Sequence, residues 1–119
     1  MPAESQARKI YESEAALRVA AEQAREYLRE VNERRVAPSA ESVAALSSFH
    51  ETFPEQASDP SRVVETLHKF GAPATVATTG GRYFGFVIGG TLPAALGASW
   101  LANAWDQNAA YRVMSPVAA

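Results

Sequence analysis

The sequence contains no cysteine, which excludes a disulfide framework, a thiolate metal site and a cysteine nucleophile. It contains only two histidines, His50 and His68, which are too few for most zinc sites. His50-Glu51 does not begin an H-E-x-x-H zinc motif, because Pro54 stands where the second histidine belongs. We therefore predict no metal ligands, and we interpret both histidines as ordinary surface or capping residues.

The sequence also lacks an excess of positive charge. Eleven Lys and Arg residues face thirteen Asp and Glu residues, giving a net charge of -2. Proteins that bind nucleic acids by neutralising phosphates usually carry a basic excess, so we expect no nucleic-acid partner. The N-terminal residues carry no apolar stretch behind them, so they do not resemble a secretory signal. These two features favour a cytoplasmic protein.

Glycine is absent from residues 1–70, which hold 21 of the 24 charged residues. Residues 71–119 hold all seven glycines and only three charges, namely Arg82, Asp106 and Arg112. This contrast predicts a charged helical N-terminal arm over 1–70 and an apolar, Gly-rich segment over 71–119. A segment with so few charges needs a cover, which could be the rest of a larger protein, a partner chain or a membrane.

Three helices are predicted in the N-terminal arm. An apolar stripe of period 3.6 predicts the first, over 4–35, with Pro38 beyond its end; the stripe comprises Ile10, Leu17, Ala21, Ala24, Leu28 and Val31. Ser39 is a good N-cap for a second helix over 40–49, and Asp59-Pro60 begins a third over 60–70, which Gly71 ends. The stripe is typical of a packing helix, and a dimerisation arm is the alternative.

The Gly-rich segment has a different pattern. Residues 72–81 are small and threonine-rich, and residues 83–88 have the composition of a strand, so an extended piece is predicted. In an extended piece Phe84 and Phe86 would share one face. A further helix is predicted from Pro93 to about Trp105, which makes the fold mainly α with a short extended Gly-rich piece.

Two functional alternatives for this segment depend on its glycines and its lack of charge. Residues 83–105 hold no charge and are long enough to span a bilayer, but Gly89-Gly90 and Pro93 would break such a helix. Gly85 and Gly90 have the spacing of a phosphate-binding loop, yet Thr91-Leu92 follows where that loop requires Lys and Ser or Thr. A nucleotide site is therefore disfavoured, and a membrane-attached protein remains an alternative.

An ordered run of motifs resembles a known family. The run consists of Gly80–Gly90 (GGRYFGFVIGG), Leu92-Pro93-Ala-Ala, Trp105-Asp-Gln-Asn108 and Ser115-Pro116. It is similar to the N-terminal region of the group II pyridoxal-phosphate-dependent decarboxylases, the relatives of aromatic-amino-acid, glutamate and histidine decarboxylases. The resemblance covers about residues 53–119, whereas over 1–52 only the order of helices agrees.

The resemblance implies a fragment of a fold type I enzyme, α/β when complete, that forms a homodimer through its N-terminal helices. It implies a carboxy-lyase that uses pyridoxal 5'-phosphate to decarboxylate an amino acid, with five residues nearest the substrate: Phe84, Phe86, Val87, Ile88 and Gly89. Ser115-Pro116 would begin the helix leading into the cofactor domain, so we expect this chain to be a piece of a longer protein.

The resemblance places the catalytic and cofactor-binding groups of such an enzyme downstream of this chain. The two lysines, Lys9 and Lys69, lie on charged helical segments, so neither is a candidate for a Schiff base. We therefore expect no catalytic and no cofactor-binding residue here. The alternative from another class is a small helical interaction module that dimerises through the stripe of residues 10–31.

Overall fold

Four α-helices make up most of the regular structure in a computed structural model, which describes residues 3–108 and 110–118. They are α1 (Ala3–Glu30), α2 (Ala40–Ala44), α3 (Pro60–Gly71) and α4 (Pro93–Trp105). Short 3-10 turns follow at Ala45–Phe49, Ala72–Ala74 and Pro116–Ala118. Within those described ranges there is no β-strand, so the prediction of a mainly α fold is confirmed.

Local capping explains where two of the helices begin. The Ser39 hydroxyl accepts a hydrogen bond from the Ser42 N–H at 3.1 Å, and the Asp59 carboxylate accepts one from the Ser61 N–H at 2.8 Å. These bonds satisfy backbone donors that the first turn of a helix leaves free. Helix α3 ends at Gly71, as predicted, but the φ of Gly71 is a helical -80° and not left-handed, and the chain continues into the 3-10 turn at Ala72–Ala74.

Helix α1 ends at Glu30, five residues before the predicted end. The N–H groups of Glu33 and Arg34 both donate to the Glu30 carbonyl, at 2.9 and 3.0 Å, and close the last turn. Beyond that turn, the Val36 carbonyl accepts a hydrogen bond from the Ala77 N–H at 2.9 Å. Residues 31–33 thus form a turn, with one i→i−4 hydrogen bond kept at Arg34. Contacts with a distant segment take the place of the rest of the helix that the apolar stripe predicted up to residue 35, a case of tertiary structure overriding local propensity.

Helices α1 and α3 form the main helix pair of the fold. His68 of α3 lies 4.0 Å from the Glu26 carboxylate of α1, a contact that is ionic only when the histidine is protonated. The ring of Phe70 meets the ring of Phe49 edge to face, with centroids 6.1 Å apart. The α1–α3 helix pair is the frame on which the rest of the chain packs.

The segment predicted to be extended forms a turn instead. Phe86 and Val87 have φ values of 55° and 54°, in the left-handed region, and residues 85–87 reverse the chain direction. The prediction of an extended piece over 83–88 is therefore wrong, and so is the alternation that placed Phe84 and Phe86 on one face. The reason is that Gly85, Gly89 and Gly90 permit tight backbone geometry that the strand-like side chains alone do not predict.

The chain has very little core. Among the described residues only two apolar side chains are buried, Val31 at 6 % exposure and Ala77 at 1 %. The accessible surface is 9740 Å², whereas a folded monomer of this mass exposes about 6,300 Å². The radius of gyration is 17.7 Å, against about 13.5 Å for a domain of this length. Much apolar surface therefore remains in contact with solvent.

Candidate functional site

The candidate site is the Gly-rich loop, defined as residues 77–90, which leaves the helical frame and returns to its own start. The Gly90 N–H donates to the Thr78 carbonyl at 3.1 Å and closes the neck of the loop. Gly89 has a φ of 118°, and a Cβ atom there would lie 2.3 Å from the Thr78 carbonyl oxygen. Only glycine fits this position, because both the backbone angle and the space exclude a side chain.

The base of the loop is held by the clamp segment, defined as residues 31–36, directly after α1. The Gly81 N–H donates to Asn32 Oδ1 at 2.9 Å, and the Arg82 guanidinium donates to the Arg34 carbonyl. Gly80 lies against the buried Val31, since a Cβ on Gly80 would be 3.1 Å from the Val31 carbonyl oxygen. The hydrogen bonds that hold the loop base and the buried Val31 side chain therefore both lie at the clamp segment.

Arg34 connects this base to the helix pair. Its guanidinium donates to the Ala72 carbonyl at 2.5 Å and lies 4.5 Å from the centre of the Tyr27 ring. The Thr75 hydroxyl also donates to the Ala72 carbonyl, at 2.8 Å, and its oxygen is 2.9 Å from the Tyr27 hydroxyl. Because the Thr75 proton is already used, Tyr27 donates to Thr75. The C-terminal part of α1, the clamp segment and the 3-10 turn that follows α3 are thus joined by one polar network.

Four of the five residues expected near a substrate lie at the tip, defined as residues 84–88. The side chains of Phe84, Phe86 and Val87 are 92 %, 90 % and 105 % exposed, and Ile88 is 62 % exposed. The fifth residue, Gly89, lies at the neck. The fold therefore brings these residues into one loop, with the apolar side chains facing solvent and no described residue covering them.

Tyr83 is a loop residue that the sequence did not single out. A Cβ on Gly85 would lie 2.8 Å from the Tyr83 hydroxyl oxygen, and one on Gly89 would lie 3.1 Å from the Tyr83 Cδ1 atom. The half-buried ring thus occupies space inside the loop that two glycines leave open. The spacing of Tyr83, Gly85 and Gly89 is visible in the sequence. It indicates that the ring packs against the two glycines only when one knows that the chain reverses direction at residues 85–87.

The polar anchors at the base were missed for a different reason. Asn32 and Gly81 are 49 positions apart in the chain, and nothing local to either residue indicates the pair. Asn32 stood inside the helix predicted over 4–35 and is not a member of its apolar stripe. No short motif in the sequence could have identified it.

Neither a metal ion nor pyridoxal phosphate finds a matching set of groups among the described residues. No group of three His, Asp or Glu residues within 3–108 and 110–118 could hold a metal ion. Arg82, the cation of the loop, is already bonded to the Arg34 carbonyl. Lys9 and Lys69 are exposed, and the Lys69 ammonium lies 5.1 Å from the centre of the Phe70 ring. A lysine that binds a carbonyl cofactor is usually desolvated, so these residues do not fit pyridoxal phosphate.

An apolar groove of about 530 Å³ lies between α1 and α3 and extends to Thr91 and Leu96. Leu28 and Leu67 line it and remain 43 % and 61 % exposed. Gln23 also lines the groove, and its side-chain oxygen is buried without a hydrogen-bond partner among the described residues. The groove joins the helix pair to the start of α4, so apolar surface continues from one half of the chain to the other.

Comparisons with protein-family models, with curated proteins and with solved structures find no match for this chain. In the described part of the chain, no helix is long and apolar enough to cross a membrane.

Proposed function

We propose that this chain is the N-terminal part of a pyridoxal-phosphate-dependent carboxy-lyase acting on an amino acid. In this proposal the tip of the Gly-rich loop forms part of the wall of the substrate pocket. The helices of the arm contribute to a homodimer, and a cofactor domain outside this chain supplies the catalytic groups. The chain alone is inactive.

The observation that carries the proposal is the uncovered tip on a closed, anchored loop. Phe84, Phe86 and Val87 are almost fully exposed, while the neck and base of the same loop are tied by hydrogen bonds. Exposing such an apolar cluster is unfavourable in water and is typical of a surface that another molecule or domain covers. The run of motifs from Gly80 to Gly90 resembles the decarboxylases. We therefore take the covering surface to be the rest of such an enzyme.

The lack of fit to the cofactor limits what this chain does in the proposal. Its residues bind no cofactor and move no proton, and they supply only apolar wall and dimer surface. The substrate side chain that best suits such a wall is apolar or aromatic, because Phe84, Phe86 and Ile88 offer dispersion contacts and no charge.

The experiment is to read the genomic DNA downstream of codon 119 and to express the complete open reading frame beside this chain. The proposal expects an α/β sequence with a lysine-containing cofactor motif. The longer protein should show an absorbance band with pyridoxal phosphate that borohydride abolishes, and it should release CO2 from an amino acid. This chain should do neither. A stop codon directly after Ala119, or a borohydride-sensitive band with this chain alone, would overturn the proposal.

The second candidate is a helical interaction module that pairs through the stripe of residues 10–31. It is favoured by the N-terminal half of α1, where Ile10 is 56 % and Leu17 is 47 % exposed. Replacing both with glutamate should abolish self-association if the stripe is the interface. The matched control is the pair Glu14→Gln and Glu22→Gln, which changes charge on the same helix without touching the stripe.

A further inference from the structure

We propose that the apolar groove between α1 and α3 holds helix α4 of a second copy of this chain. In this dimer each copy places its α4 in the groove of the other, so two equivalent contacts form together. The inference rests on the homodimer of the proposed function and names the contact that joins its subunits. Its test measures association and not catalysis, so it can fail while the proposed cofactor chemistry stands.

Helix α4 is apolar on the side that faces solvent as well as on the side that faces the rest of the chain. None of its 13 residues is charged, and it makes only sparse contacts with the other described elements. Leu96 and Trp100 are half-buried. The outer face of α4 has apolar residues at spacings of 4, 3 and 4, all of them exposed: Ala94, Ala98, Leu101 and Trp105. A helix that is apolar all round is normally buried, so this outer face lacks its partner.

The groove offers an apolar surface and an unpaired hydrogen-bond acceptor. Its volume is about 530 Å³, and Ala24 and Leu67 are among the residues that line it. The buried side-chain oxygen of Gln23 has no partner among the described residues, so a fitting occupant carries a donor. The indole N–H of Trp105 is such a donor, and within the described chain it makes no hydrogen bond.

A second copy fits these observations better than the α4 helix of the same chain. That helix borders its own groove with Leu96, and Trp105, nine positions later, lies on the opposite side of the helix. Exchange between two copies covers both apolar surfaces at once and gives a closed two-fold assembly. One chain exposes about 3,400 Å² more than a folded monomer of its mass, which is enough for an obligate dimer interface.

The test is the dissociation constant of the full chain, measured by sedimentation equilibrium. Leu67→Glu places a charge in the groove, and Leu101→Glu places one on the outer face of α4. These positions are 61 % and 52 % exposed, so the fold of the single chain should tolerate both. Each should weaken association about 100-fold or more, because the dimer would bury an unpaired charge. Trp105→Phe removes only the donor and should weaken association about fivefold.

Two matched controls place the same charge on the same two helices. Val63 is 55 % exposed on α3 and does not line the groove. Asn103 is exposed on α4 and does not belong to the outer face. Val63→Glu and Asn103→Glu should therefore change the dissociation constant by no more than about twofold. Circular dichroism confirms that every variant keeps its helices.

Mixing the two damaging variants tests the exchange itself. In a dimer of Leu67→Glu alone, or of Leu101→Glu alone, both contacts contain a glutamate. A mixed dimer places both glutamates in one contact and leaves the other contact unmodified. The mixture should therefore contain a mixed dimer at concentrations where neither variant associates by itself. Native mass spectrometry identifies it when one variant is isotopically labelled.

Three results would overturn the proposal. The first is an unmodified chain that is monomeric at every concentration. The second is a loss of association in the two controls that equals the loss in the groove and α4 variants. The third is a mixture that forms no mixed dimer. Association that Ile10→Glu abolishes, and that Leu67→Glu and Leu101→Glu leave intact, would assign the interface to the stripe of residues 10–31 instead.

Discussion

The two halves of the chain are stabilised by different kinds of contact. From α1 to the base of the Gly-rich loop, polar side chains make defined bonds to distant backbone groups, as Arg34 does to Ala72 and Asn32 does to Gly81. From the tip to the end of α4, the larger side chains are apolar and mostly exposed, as at Phe84 and Trp105. In the charged half, hydrogen bonds therefore fix the relative positions of distant segments. The apolar half instead presents apolar surface that it cannot bury alone.

The largest effect that this difference predicts is self-association of the chain. The surface of one chain exceeds that of a folded monomer of this mass by about 3,400 Å², which is more than the roughly 1,000–2,500 Å² per chain that obligate dimer interfaces bury. We therefore expect oligomers or a partly molten state, with binding of a hydrophobic dye, because net stability is a small difference between large terms. Analytical ultracentrifugation over a range of concentrations measures the first property, and dye fluorescence the second.

A strictly monomeric sample that unfolds in one sharp, cooperative transition would contradict this expectation. It would mean that the apolar half finds its cover within the chain itself. The apolar half would then need no cover from another molecule.

Two glycine substitutions in the apolar half should have opposite effects. Gly89→Ala places a Cβ 2.3 Å from the Thr78 carbonyl oxygen at a φ of 118°, so the neck should open, at a cost of about 1–3 kcal/mol for the backbone strain alone. Gly97→Ala meets open space in the middle of α4 and should stabilise that helix by about 0.5–1 kcal/mol. Hydrogen exchange at the Gly90 amide reports the first change, and helical circular dichroism on heating reports the second. Equal effects of the two substitutions would show that the neck does not form.

A substitution in the small core tests the other half. Val31→Ala removes two buried methyl groups at the clamp segment, where Val31 is 6 % exposed, and should cost about 1.5 kcal/mol at the usual value per buried methylene. Val63→Ala removes the same groups from a 55 % exposed position on α3 and should stay within about 0.5 kcal/mol. Urea unfolding followed by circular dichroism measures both. If the two variants lose the same stability, Val31 is not a core residue in solution.

The sequence was informative where local chemistry decides structure. The starts of α2 and α3 follow from Ser39 and Asp59, which satisfy the first N–H groups of their own helices. The end of α1 could not be predicted, because the bond between Asn32 and Gly81 joins residues that no local pattern relates.

The candidate site shows the same limit. Residues 83–88 have the side chains of a strand, but the left-handed backbone at Phe86 and Val87 is set by a loop that closes between Thr78 and Gly90. Side-chain composition indicated which residues are apolar and uncharged. It could not indicate that they turn outward, because closure of the neck depends on residues at both ends of the loop.

The smallest effect on this chain, and the sharpest test of the tip, is expected from Phe86→Ala. The ring is 90 % exposed, so its removal should change the free energy of unfolding of this chain by less than about 0.5 kcal/mol. In the complete protein of the proposed function, two roles of the ring then differ. A ring that fills a core between subunits would cost about 3–5 kcal/mol of stability, while the folded fraction turns over normally. A ring that walls the substrate pocket would leave the dimer stable and raise KM or lower kcat/KM. Thermal unfolding and steady-state kinetics on the same preparation separate the two, and early melting with normal turnover would show that Phe86 has no role in substrate binding.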